Sequence, residues 1–255
     1  MIKLHGPVPI LPECNLWLGL FETPIENQPV DDDLAASKLS PRDLARWRRF
    51  RVPEKRTQFL QSRLTVREVL REELKDQAES LQLESDETGR PRLFDRENKE
   101  VHSISLSHSG TVIAVAFARG TSALGVDVEI VEPVRTIALK KMMVPFFQQE
   151  GPNGPGPGDE PEFLRSVWTV GESLWKSLGG IVEMQDCCVF LNDQGSLSAM
   201  VRQPRHLESA SYQTRLFATA GNECFPDTVL VSLDPSINIR FRGCVTRYVS
   251  NAPRQ

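Results

Sequence analysis

The stretch VHSISLSHSGTVIAVAFARGTSALGVDVEI, residues 101–130, decides the fold class. From Val101 to Ala118 it alternates and is rich in β-branched side chains, which predicts two strands joined around His108-Ser109-Gly110. LGVDVEI, Leu124 to Ile130, predicts a further short strand. On it Asp127 and Glu129 stand two apart, so both carboxylates leave one face while Val126 and Val128 pack on the other. Two hard oxygen ligands on one rigid ridge suit magnesium, although contact with solvent alone also produces an acidic strand face.

Upstream, Ser40-Pro41 followed by RDLARWRRF predicts a helix to about Phe50, with a serine cap and proline at the first helical position. After Pro53, EKRTQFLQSRLTVREVLREEL places Phe59, Val66, Leu70 and Leu74 at helical spacing, with Arg56, Arg63 and Arg67 on a separate shared side. DETGRPRLFD, residues 86–95, is a turn signal, so this half reads helix, helix, strand, strand. From Arg42 to Lys75 there are eleven Lys or Arg against five acids, a balance of +6, which leaves −10 for the rest of a chain whose net charge is −4. Such a segment is either a solvated helix with snorkelling arginines or a surface for phosphates or an acidic partner.

Downstream, VRTIALKKMMVPFF has helical spacing, and residues 150–161, EGPNGPGPGDEP, hold four glycines and four prolines and read as a mobile loop. FLRSVWTVGESLWKSLGG predicts a helix ending near Gly179. Strand-like DCCVFLND, YQTRLFATA and DTVLVSL follow. This half repeats the helix-then-strands order of the first, a hint of duplication into lobes 1–122 and 123–255, of the α+β class with antiparallel sheets. Glu172 and Lys176, four apart, share a helix face. They read as a surface ion pair, or as a third magnesium ligand beside a lysine that takes up a proton or neutralises phosphate charge.

A chain of 255 residues, 40% hydrophobic and 25% charged, has the balance of a soluble globular protein. Its longest apolar run, Val112 to Ala118, falls far short of the roughly 20 residues that span a bilayer, so no membrane partner is expected. MIKLHGPVPILPECN breaks any secretory apolar stretch with four prolines or glycines. Five scattered cysteines without C-x-x-C spacing support neither a zinc site nor a disulfide framework, which fits a reducing cytoplasm. No P-loop or GxGxxG is present. The only aromatics of the basic segment are Trp47, Phe50 and Phe59, the last on the apolar face of its helix, too few for a stacking surface, which argues against nucleic acid.

The ordered set GRPRL (89–93), SLSHSG (105–110), GVDVE (125–129) and WTVGESLWKSLG (168–179) resembles the signature of Sfp-type 4′-phosphopantetheinyl transferases, in the holo-acyl-carrier-protein synthase superfamily. The similar segment runs from about Ser40 to Gly180. The resemblance implies two similar α+β lobes related by a pseudo-twofold, with coenzyme A between them, and a monomer. It implies that Asp127, Glu129 and Glu172 hold magnesium and that Lys176 is the base toward the attacking serine. Ser107 and His108 match positions that contact the nucleotide phosphate, Arg90 one that meets the pyrophosphate, and Arg46 and Arg56 basic positions near the 3′-phosphate. The implied reaction moves 4′-phosphopantetheine from coenzyme A to a serine of an apo acyl- or peptidyl-carrier protein and releases adenosine 3′,5′-bisphosphate. Three features depart from the family pattern. Gly171 stands where a lysine is usual, Ser105 where an asparagine is, and the 150–161 loop is long in a region that lies near the carrier. Gly171 is the argument for a non-catalytic binding homologue; the three carboxylates and Lys176 argue for an enzyme.

Overall fold

The computed structural model describes residues 2–11, 13–21, 32–121, 123–130, 161–179, 183–191, 197–201, 211–219 and 241–249. The chain divides into two compact units, Met1–Pro9 with Glu13–Thr121 and Ile10–Pro12 with Ser122–Gln255. The first carries strands β1 (Ile2–Leu11), β2 (Cys14–Phe21), β3 (Gln82–Ser85), β4 (Pro91–Phe94), β5 (Glu100–Ser109) and β6 (Val112–Arg119) in one sheet of order β1-β2-β6-β5-β4-β3. Its helices are α1 (Asp32–Lys38), α2 (Pro41–Arg49) and α3 (Pro53–Leu74). The expected helix, helix, strand, strand is thus the middle of a longer unit. Pro7 and Pro9 hid β1, and they are tolerated because β1 is an edge strand.

Local chemistry explains the helices. Ser40 Oγ accepts the Asp43 N–H at 3.2 Å, and Pro41 opens α2. Arg56 Nε donates to the Phe50 carbonyl at 2.8 Å, so a side chain from α3 satisfies a carbonyl at the end of α2. Val66, Val69, Leu70 and Leu74 of α3 pack in one cluster with Trp17, Ile104, Ile113, Val115 and Phe117 of the sheet. Phe59 instead packs, half-buried, against Ala35, Leu39, Trp47 and Leu60.

The arginine side predicted for α3 is not an exposed stripe. Arg63 is 3% exposed, and its Nε donates to Asp43 Oδ2 at 2.7 Å. Its other arm donates to Ser85 Oγ, which in turn donates to Asp43 Oδ1 at 2.7 Å. This closed triad joins α2, α3 and β3. Burial lowers the Arg63 pKa and the Asp43 charge opposes that shift.

The second unit holds β7 (Leu124–Ile130), α4 (Pro161–Ser177), β8 (Cys187–Leu191), β9 (Leu197–Val201), β10 (Ser211–Thr219) and β11 (Phe241–Val249). Strands β10, β11 and β7 form one antiparallel sheet, and β8 pairs antiparallel with β9. Both units are therefore α+β with antiparallel sheets, as expected. Pro161, the last residue of the expected loop, begins α4. The helix ends at Gly179, whose φ is 65° and whose N–H donates to the Lys176 carbonyl at 3.1 Å. The helix expected at 134–147, the rest of the loop (150–160) and the strand at 227–233 lie outside the described residues. Among those residues no helix is long and apolar enough to cross a membrane.

Helix α4 touches β7 backbone to backbone. A Cβ at Gly125 would strike the Ser173 carbonyl oxygen and stand 2.5 Å from the Ser177 amide nitrogen. The hydroxyls of Thr169, Ser173 and Ser177 fold back onto carbonyls of their own helix at 3.0, 3.0 and 2.7 Å, so this face stays thin and satisfied. Gly171 differs, since a Cβ there would meet Met184 Cε and Val189 Cγ2 at an ordinary 3.6 Å. Gly125→Ala is therefore expected to lower stability by about 1–3 kcal/mol through overpacking. Gly171→Ala should raise it by up to about 1 kcal/mol through helix propensity. Denaturant unfolding of both variants checks the opposite signs.

Candidate active site

Strand β7 is buried from Leu124 to Val128, so Asp127, 1% exposed, does not stand on the half-solvated face that an acidic strand suggests. A carboxylate there needs a cation, and the thin contact at Gly125 supplies one. Lys176 Nζ lies 2.6 Å from Asp127 Oδ1 and 3.2 Å from Glu172 Oε2. The structure thus joins three of the four residues expected in this half of the chain, and the i,i+4 pair of Glu172 and Lys176 is no mere surface bridge. Glu129 sits two residues along β7, with Arg242 as its Cα partner on β11. Among the described residues no group of three His, Cys, Asp or Glu side chains is arranged to hold a metal ion.

The charges are coupled. Burial, and then the charge of Asp127, push the Glu172 carboxyl up to about 7, while Lys176 works against both. Burial acts to lower Lys176, yet Asp127 and then Glu172 hold its ammonium above the ordinary 10.5. Lys176 is therefore a charged donor in this metal-free arrangement, because the two carboxylates outweigh the effect of burial. The donor set fits magnesium by its chemistry, because Asp127 and Glu172 offer hard anionic oxygens that already share one cation.

The residues expected to meet phosphates lie in the other unit. Ser107 and His108 belong to β5 rather than to a turn, opposite Ala114 and Ile113, and the reversal falls at Gly110, φ 51°. As strand neighbours they leave on opposite faces of the sheet, so β5 does not present them as one cluster. Ser107 is buried beside Ser105 and Ser103 in the alternating series. Arg56 is committed to α2: its guanidinium lies over the Trp47 ring at 5.3 Å and donates to the carbonyls of Phe50 at 2.8 Å and Arg48 at 3.4 Å. Arg46 reaches the 86–90 turn and packs against Gly89, next to half-buried Arg90. Burial and then the Arg92 charge lower the Arg90 pKa.

Sequence reasoning missed Gly125 and the Asp43–Arg63–Ser85 triad. Small residues at 169, 173 and 177, spaced by one turn, signalled a face meant for close approach. Nothing in the spacing of Asp43, Arg63 and Ser85 marked them as partners.

A family model described as 4′-phosphopantetheinyl transferase, N-terminal, matches residues 26–119. The 4′-phosphopantetheinyl transferase HetI of Nostoc sp. is 29% identical over 177 residues, covering 68% of this chain and 72% of that protein. The protein slr0495 of Synechocystis sp., assigned by name to the same transferase class, is 27% identical over 172 residues, covering 67% of this chain and 66% of its own length.

The Glu172 shift has a signed consequence. With its pKa raised from 4.5 to about 7, the folded protein holds a proton that the unfolded chain releases in between. Stability is then full below that window and declines as pH rises through it. Lys176, raised above 10.5, stays charged throughout and adds no slope there. Chemical denaturation of metal-free protein at both ends of the window is expected to show wild type losing stability toward neutral pH relative to Glu172→Gln.

Proposed function

We propose that this chain, similar over residues 26–119 to the 4′-phosphopantetheinyl transferase family, transfers 4′-phosphopantetheine from coenzyme A to a serine of an apo acyl- or peptidyl-carrier protein. Adenosine 3′,5′-bisphosphate leaves, and magnesium is required. The observation that carries this reading is the Lys176 ammonium shared by Asp127 at 2.6 Å and Glu172 at 3.2 Å. Asp127 and Glu172 would hold the metal, with Glu129 as the third ligand the resemblance implies. Bound there, magnesium supplies charge neutralisation on pyrophosphate oxygens.

The chain's own residues do the rest. Asp127 and Glu172 keep Lys176 protonated, so it serves first as a cation toward the phosphates. It can accept the proton of the serine Oγ only after releasing its own proton to solvent, which compensation of those carboxylate charges by a bound cation would favour. Arg46 and Arg90 are the cations for coenzyme A phosphates, as guanidinium geometry suits them to be. Gly171 does not weaken the reading: its Cβ direction meets apolar Met184 and Val189, so a lysine side chain would start away from polar partners. The protein works as a cytoplasmic monomer, without membrane or nucleic acid.

Intact mass spectrometry of apo carrier proteins incubated with the protein, coenzyme A and magnesium tests this. A gain of one phosphopantetheine mass is expected, abolished by chelator and reduced at least about 100-fold by Asp127→Ala, the order seen when one electrostatic contributor to a reaction is removed. Coenzyme A binding with no transfer to any carrier would favour the non-catalytic homologue instead.

A further inference from the structure

Arg46 is a half-buried cation with no carboxylate or hydrogen-bond partner among the described residues. It lies near the buried Arg63, whose pKa burial, and to a smaller extent the Arg46 charge, lowers. What keeps its guanidinium in place is the 86–90 turn. A Cβ built at Gly89 would stand 2.9 Å from Arg46 Cζ and 3.1 Å from Nη1, and would overlap Nη2. The guanidinium thus rests on the bare α-carbon of a residue whose φ, +95°, already favours glycine.

Both sides of that contact are fixed. Asp86 Oδ1 accepts the N–H of Thr88 at 3.0 Å, its hydroxyl at 2.7 Å and the Arg90 N–H at 3.0 Å, and the Gly89 N–H donates to the Asp86 carbonyl at 3.0 Å. On the other side, Asp43 lies one turn before Arg46 on α2 and is bound through Arg63 to Ser85, the residue preceding Asp86. Helix and turn are therefore locked in register, and the half-buried fork of Arg46 is preorganised for an anion.

We infer that Gly89 is a positioning residue, which holds the Arg46 guanidinium against the 86–90 turn for the 3′-phosphate of coenzyme A. The ligand rests on the transferase reading above; the contact between Arg46 and Gly89 does not. Any side chain at 89 displaces the fork and leaves the pyrophosphate contacts untouched.

The experiment is equilibrium binding of coenzyme A and of 3′-dephospho-coenzyme A to wild type, Gly89→Ala, Arg46→Ala and the double variant. Gly89→Ala is expected to weaken coenzyme A about tenfold and dephospho-coenzyme A hardly at all, roughly the loss of one charge-assisted contact. Added to Arg46→Ala it should cost nothing more, since the group it displaces is gone. Gly89→Asn, which tolerates positive φ better than alanine, is the second variant if alanine unfolds the turn. Equal weakening of both ligands, or a full additional loss in the double variant, would overturn the assignment while the transferase reading stands. Wild type that binds neither ligand would overturn both.

Discussion

The contact between α4 and β7 at Gly125 governs the candidate site. Only where a strand has no side chain can a helix backbone come this near, and only at that distance can Lys176 meet a carboxylate lying wholly inside the unit. The small hydroxyl face of α4 serves the same end, because Ser173 and Ser177 satisfy themselves on their own helix and take up little room. Widening the contact by one methyl group would overpack it and press α4 away from the strand that carries Asp127.

The first unit solves a different problem with the same tools. Its basic segment is not one surface but two populations. Arg63 is buried and structural, and Arg71 and Lys75 pair with neighbouring acids on the surface, where such bridges contribute little. Arg46, Arg48, Arg49 and Arg51 have no carboxylate partner among the described residues. The excess charge is concentrated at the junction of α2 and α3, which Arg56 stiffens from within.

Much of this was legible in residue order. The serine-proline start of α2, the apolar spacing of α3, the glycine stop after α4 and the β5–β6 hairpin are local signals with local causes. Asp127, Glu172 and Lys176 were found by motif, and the structure joins them. The misreadings share a physical origin. Pro7 and Pro9 obscured β1, because a proline's cost depends on whether its strand has a neighbour on both sides. The solvated-face alternative for Asp127 stayed open because burial of a strand on both sides is a tertiary fact. Arg63 was placed on an arginine stripe because helical phase shows which residues share a side and not what covers that side.

The sheet order β1-β2-β6-β5-β4-β3 has a consequence for how the chain is made. Strand β2 lies between β1, which precedes it, and β6, from Cys14 opposite Ala118 to Leu20 opposite Val112, so one of its two neighbours is translated about a hundred residues later. Closing so long a loop is entropically slow, while β3 to β6 pair as sequence neighbours. The nascent apolar segment CNLWLGLF therefore leaves the ribosome with only β1 beside it, well before the strand that covers its other edge exists.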